Sequence, residues 1–550
     1  MNCVAAIDVD LARSPIGTRS RATREMCGTP VLTRTIQQIS QANRIDHLYV
    51  LCPPEQADAC RGFVPSELKS RVTVQARAVG PSPFGDVVRT ARKWSLDGWR
   101  GGIGGATSFD EYAHPRELAL VVQGPSADAL FCAPAEAPLI DPTLIDTMID
   151  HAEKSVDEAR LTFAQAPPGL TGVIFQSDLL MEMAGKGVPP GMILSYKPDA
   201  PVMDLAHKSC CYTASESVRH ACSRLVTDTR RSFETVSGFL ASGLAVEAES
   251  VGRWLIERDR LHVPPLPREI EIELTTADQL PESKLRPRGA EVGARGPIDL
   301  QIVERIAHEM AAFDDSLVVL GGFGEPLLHP QFDEVLGILR DAGIYGVAVR
   351  TNGVALDEVH IESVIRHEVD VVNVLLDAWT PELYQTIQSP KGQRGADLED
   401  IRANIKRLIE ERGRKKRVAP LVVPEITKSI DTLDELDPFF DGWIRECGWA
   451  NIAGYCDHAG QREDRSVMPM APPARSACRR INQRATVLAN GHLVVCDQDF
   501  TGRFPVGDLH DEGLGTLWLG EVMSRARDRH RTGHFDATPL CTPCQDWHRP

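Results

Sequence analysis

The stretch HVPPLPREI, residues 262–270, constrains this chain more than any other. Proline has no backbone N–H to donate and biases the residue before it away from the helix. Pro264, Pro265 and Pro267 together therefore fit neither a continuing helix nor a central strand. On both sides of this break, short apolar runs alternate with amphipathic stretches, the pattern of layered α/β structure. A chain of 550 residues is too long for one hydrophobic core, so the break reads as a domain boundary.

Before it, β-like runs (NCVAAID, HLYVLC, ALVVQG, TGVIF) alternate with helical stretches such as PVLTRTIQQISQA and DPTLIDTMIDHAEKS. This predicts a mostly parallel, Rossmann-like sheet over residues 1–200. Residues 201–264 have helical periodicity and few strand signals, and read as a helical connector. After the break, strand candidates lie at 269–275, 316–322, 345–351, 370–378, 418–424 and 449–454. Helix candidates between them fall near 299–313, 331–342, 356–367, 397–412 and 431–446. Six such units suit a partial (β/α)6 barrel over 265–456, with function at the C-terminal ends of its strands. Residues 457–550 carry a separate, cysteine-rich pattern.

The charge balance, 60 basic against 77 acidic residues and a net −17, argues against a nucleic-acid partner, because phosphate contacts need a basic face. The run GRKKR (413–417) reads as a solvated loop at a helix end. No apolar stretch approaches the ~20 residues that cross a bilayer, and the N-terminus MNCVAAIDVDLARS has acids in its apolar run and no basic leader. A cytoplasmic location without a membrane partner is expected. The 14 cysteines then read as reduced thiols, some of them metal ligands.

Three polar signals close successive barrel strands: GGFGEP (321–326), TNG (351–353) and DA (377–378). Glycine lets backbone approach a ligand closely and tolerates positive φ, and Glu325 can accept hydrogen bonds from a ligand ammonium group. Taken together, GGFGEPLLHP, TNG and VLLDA resemble the strand-end motifs of radical S-adenosylmethionine enzymes over about 266–456. The resemblance implies S-adenosylmethionine contacts at Gly321, Gly322 and Glu325, with Asn352 and Asp377 carried over beside them.

The same resemblance exposes a departure. The family's first strand is followed by CxxxCxxC, whose thiolates hold the radical-generating cluster. Alignment on Glu273-Leu274-Thr275 puts Asp278, Glu282 and Leu285 at those positions, and no CxxxCxxC occurs anywhere in the chain. Leu285 has no donor atom, and carboxylates are poor substitutes for soft thiolates. Cys447 and Cys456 are too few and too far apart to replace the motif. The expectation is a barrel with a binding site and no radical generator.

At the C-terminal end, CRRINQRATVLANGHLVVC (478–496) and the CxxC of LCTPCQDW bring Cys478, Cys496, Cys541 and Cys544 into one pattern. Four thiolates suit either a closed 4Fe–4S cluster or a tetrahedral zinc site. The pattern resembles the SPASM domain that often follows radical S-adenosylmethionine barrels, and the resemblance implies one 4Fe–4S cluster, with an electron-donor protein as a candidate partner. Trp547 reads as a cover for the site.

In the first region, CGTPVLTRTIQQISQANRIDHLYVLC and CAPAEAPLIDPTLIDTMIDHA resemble the nucleotidyltransferase-like fold. The resemblance implies nucleotide contacts from Gly17, Arg19 and Arg24 in DLARSPIGTRSRATRE. It also implies a magnesium position, held here by Glu136 rather than the family's aspartate. Cys210 and Cys211 read as buried thiols. An iron–sulfur enzyme that uses its auxiliary cluster without the usual radical start and acts on a nucleotide-activated compound or peptide, a nucleotidyl or glycosyl transferase, and a non-catalytic binding partner all fit these residues.

Overall fold

The computed structural model describes every residue except 81, 83, 125–126, 200–207, 281, 389–395 and 550. The chain divides into two compact units, Met1–Arg260 and Leu261–Pro550.

The first unit is built on seven strands: β1 (Cys3–Asp8), β2 (Leu48–Cys52), β3 (Val72–Ala76), β4 (Ala129–Pro134), β5 (Leu161–Ala164), β6 (Val173–Gln176) and β7 (Cys211–Tyr212). Their order is β3-β2-β1-β4-β6-β5-β7, with β6 antiparallel to both neighbours, so the sheet is mixed. Strand β1 shows why it lies at the centre. Cys3, Ala5 and Ile7 enter the core on one face and Val4 and Ala6 the core on the other. A strand buried on both faces reads as a continuous apolar run.

Two sequence expectations change here. ALVVQG is the end of helix Pro115–Gln123, which buries Leu118, Val121 and Val122 at helical spacing behind a proline at its start. The strand comes next, at Ala129–Pro134. The expected connector 201–264 belongs to this unit as far as Arg260. Among its described residues, β7 pairs with β5, and helices Arg230–Ala241 and Ala248–Leu261 bury Val236, Phe239, Val251 and Leu255 in the same core.

The second unit has nine strands: β8 (Glu269–Glu273), β9 (Leu317–Gly321), β10 (Gly346–Thr351), β11 (Val371–Leu375), β12 (Leu421–Lys428), β13 (Asn451–Gly454), β14 (Arg484–Val487), β15 (His492–Val494) and β16 (Pro505–Asp508). Strands β8 to β13 lie side by side in chain order and all parallel. Helices Leu300–Met310, Phe332–Asp341, Glu358–Arg366, Leu398–Arg414 and Leu436–Cys447 fall between them. The strand foreseen at 418–424 begins only at Leu421, just past Pro420, which has no N–H for the ladder. β14 pairs in parallel with β8, and β14–β16 form an antiparallel extension. The cysteine-rich region therefore shares the barrel's sheet instead of standing apart from it.

The sequence EIEIE of β8 places the site. Ile270 and Ile272 point into the apolar core, while the glutamates alternate to the other face. Glu273, fully buried, is gripped by Arg295 through two bonds of 2.7 and 2.9 Å.

Candidate functional site

The loops after β8 and β9 are zipped together at the barrel mouth. Gly322 has φ +88°, and a Cβ there would lie 2.6 Å from the Glu273 Cβ. A Cβ on Gly324 would lie 2.2 Å from the Thr275 carbonyl oxygen, so this approach needs glycine. The Glu325 N–H then donates to Ala277 O at 2.8 Å, and Gly322 N–H, next to Gly321, donates to Glu271 at 3.1 Å.

Glu325 is 1% exposed and accepts from Thr351 Oγ1 (2.7 Å), Asn352 N–H (2.7 Å) and Leu327 N–H (3.2 Å). Burial pushes its carboxyl up to about 7 against the pull of these donors. Asn352 donates through Nδ2 to Asp278 at 2.9 Å. Asp377, at φ +60°, is fully buried and held in a fork by Arg286, with Nε–Oδ2 2.8 Å and Nη2–Oδ1 2.9 Å. Burial alone would raise its pKa, but Arg286 and the Thr427 N–H hold it below the usual carboxylate range.

The loop at the positions aligned with CxxxCxxC thus carries arginine chemistry. Arg286 reaches Asp377, Glu425 (3.1 Å) and Thr427 (3.0 Å), and Arg288 pairs with Asp278. Leu285 is buried against Ile387 and Tyr455, and Glu282 is half-buried. A cavity of about 250 Å³ remains at the mouth, lined by Phe323, Arg288, Asn352 and His458 together with Arg480 and Asp497 from the cysteine-rich region.

The four cysteines come from separate segments. Cys478 precedes the 3-10 turn Arg480–Asn482, Cys496 follows β15, and Cys541 and Cys544 lie in the final turns. Gly491, at φ +83°, makes the β14–β15 turn; a Cβ there would meet the His510 ring at 2.7 Å. The thiols are neighbours. Burial first, then Cys478 and Cys544, pushes the Cys541 thiol up to about 12, and burial raises Cys544 to about 11. Cys496 is raised by burial, by Asp497, and by Cys541 and Cys478. A donor set of four thiols matches an iron–sulfur or zinc centre chemically. As placed, no group of three or more His, Cys, Asp or Glu among the described residues closes round a single ion.

His530 ties two of these segments. Its Nδ1 accepts from Cys478 N–H at 3.1 Å, which leaves the proton on Nε2, and Nε2–H faces Cys541 Sγ at 3.2 Å. Asp546 N–H donates to Cys544 Sγ at 3.3 Å, and Trp547 is buried next to it.

In the first unit, Gly17 takes φ +93° within the loop after β1, while Arg19 and Arg24 are exposed. Arg24 lies over the Phe233 ring at 4.3 Å. Glu136 is turned inward, 3% exposed, and accepts from Ser20 Oγ (2.8 Å) and Arg21 N–H (2.9 Å). Burial and the nearby Asp228 raise it to about 7. It anchors the loop, and a magnesium ion would have to displace Ser20 and Arg21.

Arg286, Arg288, His458 and His530 were missed by the sequence reading. The basic pair in KLRPRG, one and three residues past Leu285, is the one signal that could have found the first two.

Compared with known proteins, residues 275–436 match the radical SAM superfamily, and residues 478–545 match the SPASM iron-sulfur cluster-binding domain. An uncharacterized protein of Treponema pallidum (strain Nichols) is 23% identical over 322 residues, 56% of this chain and 85% of that protein. A probable GTP 3',8-cyclase of Methanococcus maripaludis (strain C7 / ATCC BAA-1331) is 31% identical over 87 residues. That match spans 16% of this chain and only 27% of the relative. Similar solved structures include BtrN in complex with AdoMet and 2-DOIA (16% identity, TM-score 0.33, 51% of this chain and 93% of that one). Streptococcus suis SuiB bound to precursor peptide SuiA is another (13%, 0.39, 54% and 78%). A third is a cytidylyltransferase from Leptospira borgpetersenii serovar Hardjo-bovis (strain JB197) (15%, 0.31, 47% and 93%). No helix among the described residues is long and apolar enough to cross a membrane. The chain thus carries an α/β fold with mixed sheets, a radical SAM region, and behind it a SPASM iron–sulfur region.

Proposed function

We propose that this protein is an iron–sulfur protein whose barrel binds a substrate without starting radical chemistry, acting in the biosynthesis or modification of a nucleotide-activated compound or peptide. The observation that carries the reading is the Arg286 fork on Asp377 and Glu425, with Arg288 on Asp278 beside it. Arg286 and Arg288 follow directly on Leu285, the last position aligned with the cluster loop, and no CxxxCxxC is present to supply thiolates.

Cys478, Cys496, Cys541 and Cys544 would hold one 4Fe–4S cluster, with zinc as the alternative at the same four thiols. Such a cluster supplies one-electron transfer when bound. The chain's own residues do the rest: His530 orients the Cys478 and Cys541 segments, and Arg480 and Asp497 connect the cysteines to the cavity. An electron-donor protein is the partner this reading calls for. Glu325 is committed to Thr351, Asn352 and Leu327, so S-adenosylmethionine, if it enters, meets a neutralised mouth.

The test is reductive cleavage. With dithionite and S-adenosylmethionine under anaerobic conditions, the full chain is expected to yield no 5′-deoxyadenosine over a protein-free control; turnover into that product would overturn the reading. A second reading, nucleotidyl or glycosyl transfer by the first unit with the barrel as scaffold, is supported by the seven-stranded mixed sheet and its loop after β1. The inward placement of Glu136 counts against magnesium there.

A further inference from the structure

The first unit has a cavity of about 310 Å³ that is separate from the loop after β1. It lies between the stretch after β3, helix Gly85–Arg92, the start of helix Pro115–Gln123 and the turn at Gly187. None of Gly17, Arg19, Arg24 and Glu136 lines it. Helix Gly85–Arg92 stands between the two places. A Cβ on Gly17 would lie 3.3 Å from Arg89 Cδ, so the helix meets the loop through Arg89, while its Val88 lines the cavity.

Val79, Phe84, Val88, Ala113 and Val188 give the cavity an apolar wall, and Val79, Phe84 and Val188 are only half-buried. Covering such surface with a ligand is favourable by roughly 25 cal/mol per Å² of apolar area. Hydrogen bonds hold the wall in place. Glu117 accepts from Ala78 N–H at 3.0 Å and Val79 N–H at 2.9 Å, tying the stretch after β3 to helix Pro115–Gln123. Asp110 accepts from Thr107 N–H at 2.6 Å and Gly191 N–H at 2.5 Å.

Of the charged residues that line the cavity, Asp110 and Glu117 are buried and engaged by those N–H groups. His114 stands 4.0 Å from Asp8, which Arg77 holds at 2.6 Å. Burial, opposed by Asp8 and aided by Arg77 and Arg89, lowers the His114 pKa, so its ring is neutral near pH 7. Arg116 is different. It is exposed and has no hydrogen bond or ion pair among the described residues. Its guanidinium stands at the rim: a Cβ on Gly187, which also lines the cavity, would lie 2.8 Å from Arg116 Nη2. We infer that this cavity binds a small apolar monocarboxylate, its body against the valines and Phe84 and its carboxylate on Arg116. A dianion such as a phosphate monoester would find no second free cation and would meet the like charges of Asp110 and Glu117. The volume is at the low end of the ~300–1,000 Å³ of ligand pockets, which suits a small metabolite. The inference goes beyond both readings above and depends on neither the cluster nor a nucleotide.

The experiment is calorimetry on full-length, anaerobically purified protein with phenylacetate as the probe. Phenylacetamide serves as the neutral control, phenyl phosphate as the dianion and benzylamine as the cation. Phenylacetate is expected to bind saturably at millimolar concentration, and each of the other three at least about tenfold more weakly. Arg116→Gln, at an exposed position, is expected to lower phenylacetate affinity about tenfold and leave phenylacetamide unchanged. Val188→Trp fills the cavity and is expected to abolish binding of both, at unchanged iron content. No saturable binding of phenylacetate, or binding that either variant leaves intact, would overturn the inference. So would tighter binding of phenyl phosphate or benzylamine, because the single guanidinium would then not be what selects the ligand.

Discussion

Two places in the second unit could hold iron in a protein with these regions, and they are built in opposite ways. At the end of β8 the loops fit closely: Gly322 and Gly324 make their close approaches, Glu325 accepts from Asn352, and Asp377 sits in the Arg286 fork. The side chains filling that geometry are arginines on carboxylates. Behind β15 the reverse holds. Four cysteines come from separate segments, with Cys496 and Cys541 raised by burial and by other thiols, but among the described residues they do not close round a single ion, and the surrounding structure is mostly turns. The contrast teaches that backbone shape and ligand chemistry are separable. On the proposed reading, buried ion pairs stand at this mouth beside the place of a soft-ligand loop.

The largest expected effect breaks the barrel side of this comparison. Arg286→Ala leaves Asp377 and Glu425 buried without their cation, and removing one partner of such a pair costs about 3–5 kcal/mol. A guanidinium titration followed by cluster absorbance reports on the second unit alone, and its midpoint is expected to fall accordingly. Adding Asp377→Asn should recover part of the loss; an additive double variant would mean the two residues are not coupled.

Next comes Glu325. Folded, its carboxyl titrates at about 7 against an ordinary 4.5, so the folded state binds the proton more tightly. Stability is therefore expected to fall as pH rises from about 4.5 to 7, by on the order of 3 kcal/mol. Glu325→Gln removes that slope. A wild-type midpoint flat across this window would show that Glu325 is not the buried group described here.

The smallest effect sharpens the cysteine side. His530→Ala removes the Nε2–H donor facing Cys541 Sγ. A donor to a ligating sulfur favours the more negative, reduced cluster. Losing about 1 kcal/mol of such a bond lowers a one-electron potential by ~40 mV. Spectroelectrochemistry reads this directly; an unchanged potential would place His530 outside the cluster's hydrogen bonding.

Much of this was legible in the sequence because it is local. GGFGEP announces a strand end with a positive-φ turn, and the six β/α beats needed only periodicity. The spacing of Cys478, Cys496, Cys541 and Cys544 singled out the region that matches the SPASM domain. What stayed hidden is long-range. Arg286 meets partners 91 and 139 residues away, which nothing local in LRPRG announces. His530 meets a backbone N–H 52 residues before it. The run ALVVQG is short and apolar on all sides, which periodicity alone cannot assign to helix or strand. Helices Arg230–Ala241 and Ala248–Leu261 showed their apolar faces plainly, but not which core would receive them.

The most direct measurement is iron and acid-labile sulfide per chain, with an optical spectrum, on protein purified without oxygen beside a Cys541→Ala/Cys544→Ala variant. The account predicts about four irons per chain, lost in the variant, the content of one 4Fe–4S cluster on the cysteine side alone. About eight irons, with half surviving in the variant, would contradict it, because the arginine-strapped mouth would then hold a cluster after all.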